Sequence, residues 1–222
     1  NDNIAGENFD PNSSFTDYKP QVNVLPRISF SFPISEKALF YAHYDVIVQR
    51  PRGEGIAYAT AADYFFLATN NNQIMANPDL KPEKMFDYEV GFQQQLSQRS
   101  AITLSGFYKE RKDMIQIRPY LYAIPKTYYA YGNRDFSTTK GLTLKYDLRR
   151  TNHLLMNVAY TLQFAEGSGS GTASGNGGDA SFFSNSGILA NFIQASLPNL
   201  RYATALDYDS RHMIVANVDY RY

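Results

Sequence analysis

The chain has 222 residues, no cysteine, no tryptophan, 15% aromatic residues and a formal net charge of +0. This composition allows one sizeable domain, excludes disulfides and thiolate metal sites, and gives no indication of nucleic-acid binding. No run approaches the roughly 18 apolar residues of a membrane-spanning helix, whereas a membrane β-barrel is still allowed because its apolar residues come at every second position.

Alternation of apolar and polar residues predicts about seven strands. Several runs keep this alternation for about 11 residues, which is enough to cross a membrane at the tilt of a barrel strand. The predicted sheet has one apolar and one polar face, and on this division we assign Val158 to lipid and Thr161 to the lumen. In chain order, the alternating apolar positions lie at residues 28–32, 40–48, 88–96, 102–108, 142–148, 154–164 and 214–222.

Short and long connections take turns along the chain. Short polar turns are predicted at 33–37, 96–100 and 149–152, and long loops at 50–85, 112–135 and 166–210. The short turns therefore fall at one end of the sheet and the long loops at the other, as in membrane barrels. We predict an all-β fold, an antiparallel up-and-down transmembrane β-barrel segment. A soluble sandwich is the alternative, although it favours shorter strands of about 5 to 6 residues.

The stretch NPDLKPEKMFDYEVGFQQQL, residues 77–96, places two prolines four positions apart before a regular strand. Each proline fixes its own φ and disfavours helix at the residue before it. We therefore expect Pro78 and Pro82 to lead the chain into the strand in an extended conformation.

This stretch resembles a segment of TonB-dependent outer-membrane receptors, approximately N-P-x-L-K-P-E followed by a strand ending in G-F. ITLSGFYKERKDMI (102–115) resembles the next strand of that family, and GLTLKYDLRR and DSRHMIVANVDYRY resemble later strands. The likeness is to Bacteroidetes-type receptors and covers roughly residues 22–222. It implies an outer-membrane barrel of 22 strands, closed by an N-terminal plug and driven by the TonB complex.

The resemblance also sets the expected domain organisation. About seven strands are too few for a plugged barrel of about 22, so we expect residues 1–222 to be part of the barrel domain of a longer chain. No plug-like α/β region and no TonB box are visible in the sequence. We expect the plug, and through it the contact with TonB, to lie outside this chain.

Ligand or partner contacts are expected from aromatic residues in the predicted loops. Packing of these residues beneath their own loops is the alternative, because exposed aromatic clusters are uncommon on monomers. The candidates are Tyr64, Phe65 and Phe66 in the first long loop, and Tyr120, Tyr122, Tyr128 and Tyr129 in the second.

Other patterns give no chemical site. The three histidines, His43, His153 and His212, lack metal-ligand spacing, and GSGSGTASGNGG (167–178) lacks the helix and Lys-Ser or Lys-Thr of a phosphate loop. We expect no catalytic, cofactor or metal site. The charged run KERKD (109–113) is expected at the outer end of a strand, where lipopolysaccharide phosphates are a candidate partner.

The resemblance implies a non-enzymatic function, active import of a nutrient across the cell outer membrane. The alternatives are a structural or interaction barrel that docks a surface lipoprotein, and an outer-membrane barrel enzyme. Expected partners are outer-membrane lipid and lipopolysaccharide, TonB through the plug, and, in the first alternative, that surface lipoprotein, with no nucleic acid.

Overall fold

The computed structural model describes residues 19–51, 74–120, 128–168 and 203–222. These residues form strands and no helix, which confirms the all-β fold class. Seven strands are long and two have only 2 residues each, in agreement with the seven predicted. In chain order the strands are β1 (Arg27–Ser35), β2 (Ala38–Gln49), β3 (Ile74–Met75), β4 (Glu83–Gln95), β5 (Ser100–Tyr120), β6 (Tyr128–Thr151), β7 (Leu154–Gly167), β8 (Thr204–Ala205) and β9 (His212–Tyr220).

The long strands form one open antiparallel sheet in the order β1, β2, β4, β5, β6, β7, β9. Strand β8 pairs with the outer end of β7, and β3 pairs in parallel with the first residues of β6. Among the described residues, β1 and β9 each have one long neighbour. The sheet is therefore an up-and-down meander with two edges, consistent with part of a barrel.

The short connections all lie at one end of this sheet, as predicted. Two-residue turns at 36–37 and 152–153 join β1 to β2 and β6 to β7, and residues 96–99 join β4 to β5. Asn152 has a φ of 55°, in the left-handed region that asparagine tolerates better than most residues. The longer connections lie at the opposite end, which we call the outer end.

The pairing register carries the apolar positions across the whole sheet. Because paired residues point to the same face, each row of partners shares one environment. One row reads Phe32, Phe40, Phe92, Leu104, Leu144, Tyr160 and Ile214 from β1 to β9.

The apolar face is open rather than sealed in a protein core. Val90 is 52% exposed, Leu144 43% and Ile214 72%. On β7 this face runs from Leu154 to Phe164, about 33 Å of strand at roughly 3.3 Å per residue, or about 24 Å at the usual barrel tilt. That height matches the apolar band of about 25 Å on membrane barrels. Val158 pairs with Tyr146 and so lies on this apolar face, and its assignment to lipid remains a prediction.

The predicted loop at 112–135 is wrong in extent. Strand β5 continues to Tyr120 and β6 begins at Tyr128, so only 121–127 separate them. The register shifts between Arg111 and Met114 and again before Ile115, and Asp113 adopts a φ of 56°. These irregularities break the period of two, so the sequence pattern misses the outer part of the hairpin.

The expected straightening of the chain by Pro78 is also wrong. Pro78 and Asp79 form a turn, in which the Asp79 amide donates to the Asn77 side-chain oxygen at 2.9 Å. Asparagine followed by proline is a common start for such a turn. Only Pro82 leads directly into a strand, because β4 begins at Glu83.

Residues 76–82, here called the strap, pass over the outer part of the sheet. The chain leaves β3 beside β6 and enters β4 beside β5, although β5 and β6 are themselves paired. The strap must therefore cross one face of the β5–β6 hairpin. Buried apolar side chains at this end are Met75, Ala76, Leu80, Met114, Ile115 and Ala130.

Candidate functional site

The candidate site is the polar face of the sheet, opposite the apolar face. Its rows are set by the same register that aligns the apolar residues. Thr143 and Thr161 face each other here, with their hydroxyl oxygens 3.1 Å apart, so Thr161 lies on the polar face and its assignment to the lumen remains a prediction. One complete row reads Ser31, Tyr41, Gly91, Ser105, Thr143, Thr161 and Met213.

Ion pairs occupy the outer half of the polar face. Lys109 Nζ on β5 lies 2.8 Å from the Asp87 carboxylate on β4. Arg111 lies 3.3 Å from Glu83, whose other oxygen accepts the Ile115 amide at 2.8 Å. Each pair joins neighbouring strands, so the face presents opposite charges held in fixed positions.

A further charged group lies at the β1 edge. Arg27 Nε donates to Asp45 at 3.1 Å, and Asp45 is buried. On the same face, His43 Nδ1 lies 2.9 Å from the Ser29 hydroxyl, and its Nε2 lies 3.8 Å from Asp45. The groups come from β1 and β2, and the hairpin register brings them together.

Tyr41 lies flat against the polar face because Gly91 has no side chain. A Cβ at Gly91 would overlap the Tyr41 ring. The Tyr41 hydroxyl donates to Glu89 at 3.0 Å, which fixes the ring along β4. Phe107 lies against Gly141 in a similar way, with its Cζ 2.7 Å from where a Cβ would be. Glycine thus lets aromatic rings lie across neighbouring strands.

Charges also cover the inner half of the polar face, near the short turns. Asp147 accepts from Asn157 at 2.6 Å and lies 3.0 Å from Lys145. On β9, Asp219 forms an ion pair with Arg150 and lies 3.4 Å from Arg221. Paired charges therefore lie toward both ends of the polar face, with an uncharged row between them.

Asn133 on β6 holds the strap at the outer end. Its side-chain oxygen accepts the Lys81 amide at 2.7 Å, and its side-chain nitrogen donates to the Lys81 carbonyl at 2.7 Å. The same nitrogen also donates to the Asp113 carbonyl at 2.7 Å. Asn77, at the start of the strap, donates to the Tyr131 carbonyl at 2.8 Å. Two asparagines thus attach the strap to the β5–β6 hairpin.

Asp209 attaches the chain between β8 and β9 to the outer end of β7. Its carboxylate accepts the Ala165 amide at 2.8 Å and Arg211 Nε at 3.1 Å. The hydrogen bond from Ala165, reinforced by Arg211, lowers the pKa of Asp209 below its ordinary value of 3.8. The carboxylate is therefore charged when it holds this segment.

The predicted contact residues are only partly within the described structure. Tyr64, Phe65, Phe66 and Tyr122 lie outside the described residues. Tyr120 and Tyr128 are paired across β5 and β6, and Tyr129 is opposite Pro119. These three lie in strands rather than in a loop, which corrects their predicted setting. Tyr128 and Tyr129 are half-buried, and their role as contacts remains a prediction.

Sequence reasoning misses the cross-strand ion pairs and the Asn133 contact. Lys109 and Asp87 are 22 positions apart, and Asn133 is 52 from Lys81. The Lys109–Asp87 ion pair could have been predicted only from the pairing register, because paired residues on antiparallel strands share a face. The sequence presents the KERKD run as one charged group, but Lys109 and Arg111 point to the polar face and Glu110 and Lys112 to the other.

No metal-ligand cluster of three or more His, Asp or Glu side chains occurs among the described residues. His43, His153 and His212 lie beside Ser29, Tyr220 and Tyr160, respectively. Within the described ranges, no helix is long and apolar enough to span a membrane.

Comparison with known proteins gives a family match over almost the whole chain. The family model described as TonB dependent receptor-like, beta-barrel matches residues 2–222. No curated protein sequence matches the chain.

Solved structures similar to this chain are larger transporters. The FrpB iron transporter from Neisseria meningitidis (F3-3 variant) is 20% identical with a TM-score of 0.46, over 64% of this chain and 19% of that one. The outer membrane transporter YddB from Escherichia coli is 15% identical with a TM-score of 0.45, over 66% of this chain and 20% of that one. The chain thus spans about a fifth of the length of these structures.

Proposed function

The chain belongs to the TonB-dependent receptor β-barrel family, and from that premise we propose that the complete protein actively imports a nutrient ligand. The family consists of outer-membrane transporters and receptors rather than enzymes, and the chain is a part of the cell outer membrane. One observation supports import most directly: a sheet with an open apolar face carries paired charges toward both ends of its other face, which is otherwise lined mainly by polar residues. Such a face suits a water-containing lumen.

The proposal includes a larger barrel around this chain. Residues 1–222 would supply about seven strands of a barrel of about 22, and the plug that contacts TonB would be a separate domain. The edges at β1 and β9 support this arrangement, because a barrel leaves no strand edge unpaired in the membrane. The motif at 77–96 further supports a Bacteroidetes-type receptor.

Ligand capture is assigned to the outer end of the barrel. We propose Tyr64, Phe65, Phe66, Tyr120 and Tyr122 as candidate contacts on their sequence alone. Tyr128 and Tyr129 have additional support, since the outer hairpin holds them beyond the apolar band. Capture would be followed by rearrangement of the plug, driven by TonB, and by passage of the ligand along the polar face.

Uptake by intact cells tests the proposal even while the ligand is unidentified. Nutrient pools in the medium would be compared between cells with the receptor and cells in which it is deleted, with and without an uncoupler. We expect at least one nutrient to be depleted only when both the receptor and the energy source are present. Identical depletion in all four conditions would contradict an import function.

A matched pair of variants locates capture. Tyr128→Ala with Tyr129→Ala should reduce uptake while leaving the amount of receptor in the membrane unchanged. Tyr220→Ala, at the opposite end of the apolar face, should leave uptake unchanged. Copurification of a surface lipoprotein without any receptor-dependent uptake would instead favour the structural or interaction role.

A further inference from the structure

The outer part of the apolar face contains a groove with a lysine at its upper limit. Gly106 lies between Val90 and Leu142 in one row, and the missing side chain leaves a notch. Aromatic rings from three other strand positions border the notch. Besides Lys140 at the upper limit, the groove is lined chiefly by Tyr88, Val90, Gly106, Tyr108, Leu142 and Phe164.

Lys140 is placed where a lipid phosphate would lie. It pairs with Tyr108 on one side and Phe164 on the other, in the uppermost row of the apolar band. Its side chain is exposed, and no ion pair among the described residues involves it. A lysine at such a boundary extends its ammonium toward the headgroup region while its alkyl stem stays among apolar groups.

Two more lysines extend the positive charge above the groove. Lys84 and Lys112 are directly opposite each other across β4 and β5, on the same face as Lys140. Like charges in this arrangement destabilise a sheet unless an anion lies between them. Lys112 is 3.2 Å from Glu110 and lies over the Phe86 ring, whereas no ion pair among the described residues involves Lys84.

Acidic groups on this face limit where an anion can bind. Glu110 and Glu166 flank Thr138 in the row directly above Lys140. Glu110 is paired with Lys112, so its charge is offset. No ion pair among the described residues involves Glu166, so its charge would weaken binding of an anion at Lys140. Removing that charge should therefore have the opposite effect from removing Lys140.

From this geometry we propose that the groove is a binding site for a phosphorylated lipid of the outer leaflet. One acyl chain fills the notch at Gly106, and the lipid phosphate contacts Lys140, with Lys84 and Lys112 as further cationic contacts for the headgroup. The combination of an apolar slot and a cation at its upper end fits a lipid rather than a free anion. The site requires membrane residence but does not depend on import.

The site can be tested on the full-length receptor purified in a nonionic detergent. Binding of diphosphoryl lipid A would be measured by native mass spectrometry. We expect Lys140→Gln to weaken binding about fivefold, the effect of roughly one lysine near a charged membrane surface. Gly106→Val fills the notch and should weaken binding as well, whereas Glu166→Gln should strengthen it.

Matched controls separate the site from general attraction to charge. Lys37→Gln removes the same charge at the opposite end of the sheet and should leave binding unchanged. Lipid A without phosphate should bind at least about fivefold more weakly, by the same loss of charge attraction, and millimolar inorganic phosphate should not displace the lipid. Phosphatidylglycerol in place of lipid A distinguishes a general phospholipid from the lipid A class.

Several results would overturn the site. They are equal effects of Lys140→Gln and Lys37→Gln, no effect of filling the notch, or full displacement by inorganic phosphate. Each variant must first show the heat-modified gel mobility of a folded barrel, so that misassembly is not counted as lost binding. Weakened lipid binding together with normal cell uptake in Lys140→Gln would support the lipid site independently of import.

Discussion

At the scale of single residues, the two faces of the sheet differ in what they tolerate. Val158 lies on the apolar face and Thr161, three positions later on the same strand, lies on the polar face. A charge on the first must enter hydrocarbon, while a charge on the second meets other polar groups. Substitutions at these two positions of β7 therefore test directly which face of the sheet meets lipid.

Val158→Arg should impair barrel assembly by about 2 to 4 kcal/mol, because arginine near the bilayer midplane is costly on a barrel surface. Thr161→Arg should have a mild effect. The measurement is reversible unfolding of the full receptor in lipid vesicles, together with the amount of folded protein in the outer membrane. Equal tolerance of both changes would contradict the assigned faces.

Gly91→Ala should destabilise the receptor by about 1 to 3 kcal/mol, the usual cost of overpacking. The reason is that the new methyl group would displace the Tyr41 ring and break its hydrogen bond to Glu89. Gly106→Ala is the matched control, since its Cβ would meet a Leu142 methyl at 3.3 Å and the Gly141 carbonyl oxygen at 3.9 Å, without overlapping a ring. The comparison uses the same unfolding measurement, and a larger loss at Gly106 would refute the explanation.

Asp209 should make the segment 206–211 sensitive to acid. Its pKa is lowered in the folded state, so the stability it contributes is present above the ordinary value of 3.8 and is lost as the pH falls through the folded pKa. The protection of the Ala165 amide, measured as its hydrogen-exchange rate relative to the intrinsic rate at the same pH, should therefore fall in strong acid. Asp209→Asn should remove this pH dependence, and an unchanged profile in that variant would exclude Asp209 as its source.

At the scale of elements, the strap joins two consecutive strands, β3 and β4, that lie on opposite sides of the β5–β6 hairpin. It leaves β3 beside β6 and enters β4 beside β5, and Asn133 bonds both backbone groups of Lys81. The motif at 77–96 is thus more than a stiff approach to a strand. Asn77 starts a turn, Leu80 is buried, and the backbone of Lys81 forms hydrogen bonds with the Asn133 side chain.

Asn133→Ala should release the strap from the hairpin and cost about 1 to 3 kcal/mol, because three hydrogen bonds are lost. Hydrogen exchange should rise across 76–82 with little change in β7. Asn217→Ala, an exposed change in β9, is the control. Unchanged protection of the strap would show that burial of Leu80 alone holds it.

At the scale of the whole molecule, the sheet separates two solvents. The absence of cysteine from these 222 residues allows single-cysteine labelling of either face. Val90→Cys and Leu144→Cys should react with a membrane-soluble maleimide and resist a charged one. Ser105→Cys and Thr143→Cys should show the reverse preference once the lumen is open to water. Identical reactivity on both faces would contradict a membrane barrel.

The sequence predicts the faces well and the outer end poorly, for one physical reason. Each face meets a single environment, so apolar and polar residues alternate from Leu154 to Phe164 with a period of two that is visible in the local sequence. Beyond Asp113 the bulges interrupt that period, and the strands are longer than the pattern shows. The contacts that matter there, such as Asn133 with Lys81, join residues 52 positions apart and have no local signature.

The path of the strap also constrains the order of assembly. Ile74 and Met75 pair with residues about 55 positions later in the chain, at Tyr129 and Ala130. Contacts of such long range form only after the intervening chain has closed a large loop. The strap, residues 76–82, can therefore dock only after the β5–β6 hairpin has formed. Its docking would be the last step in the assembly of this part of the barrel.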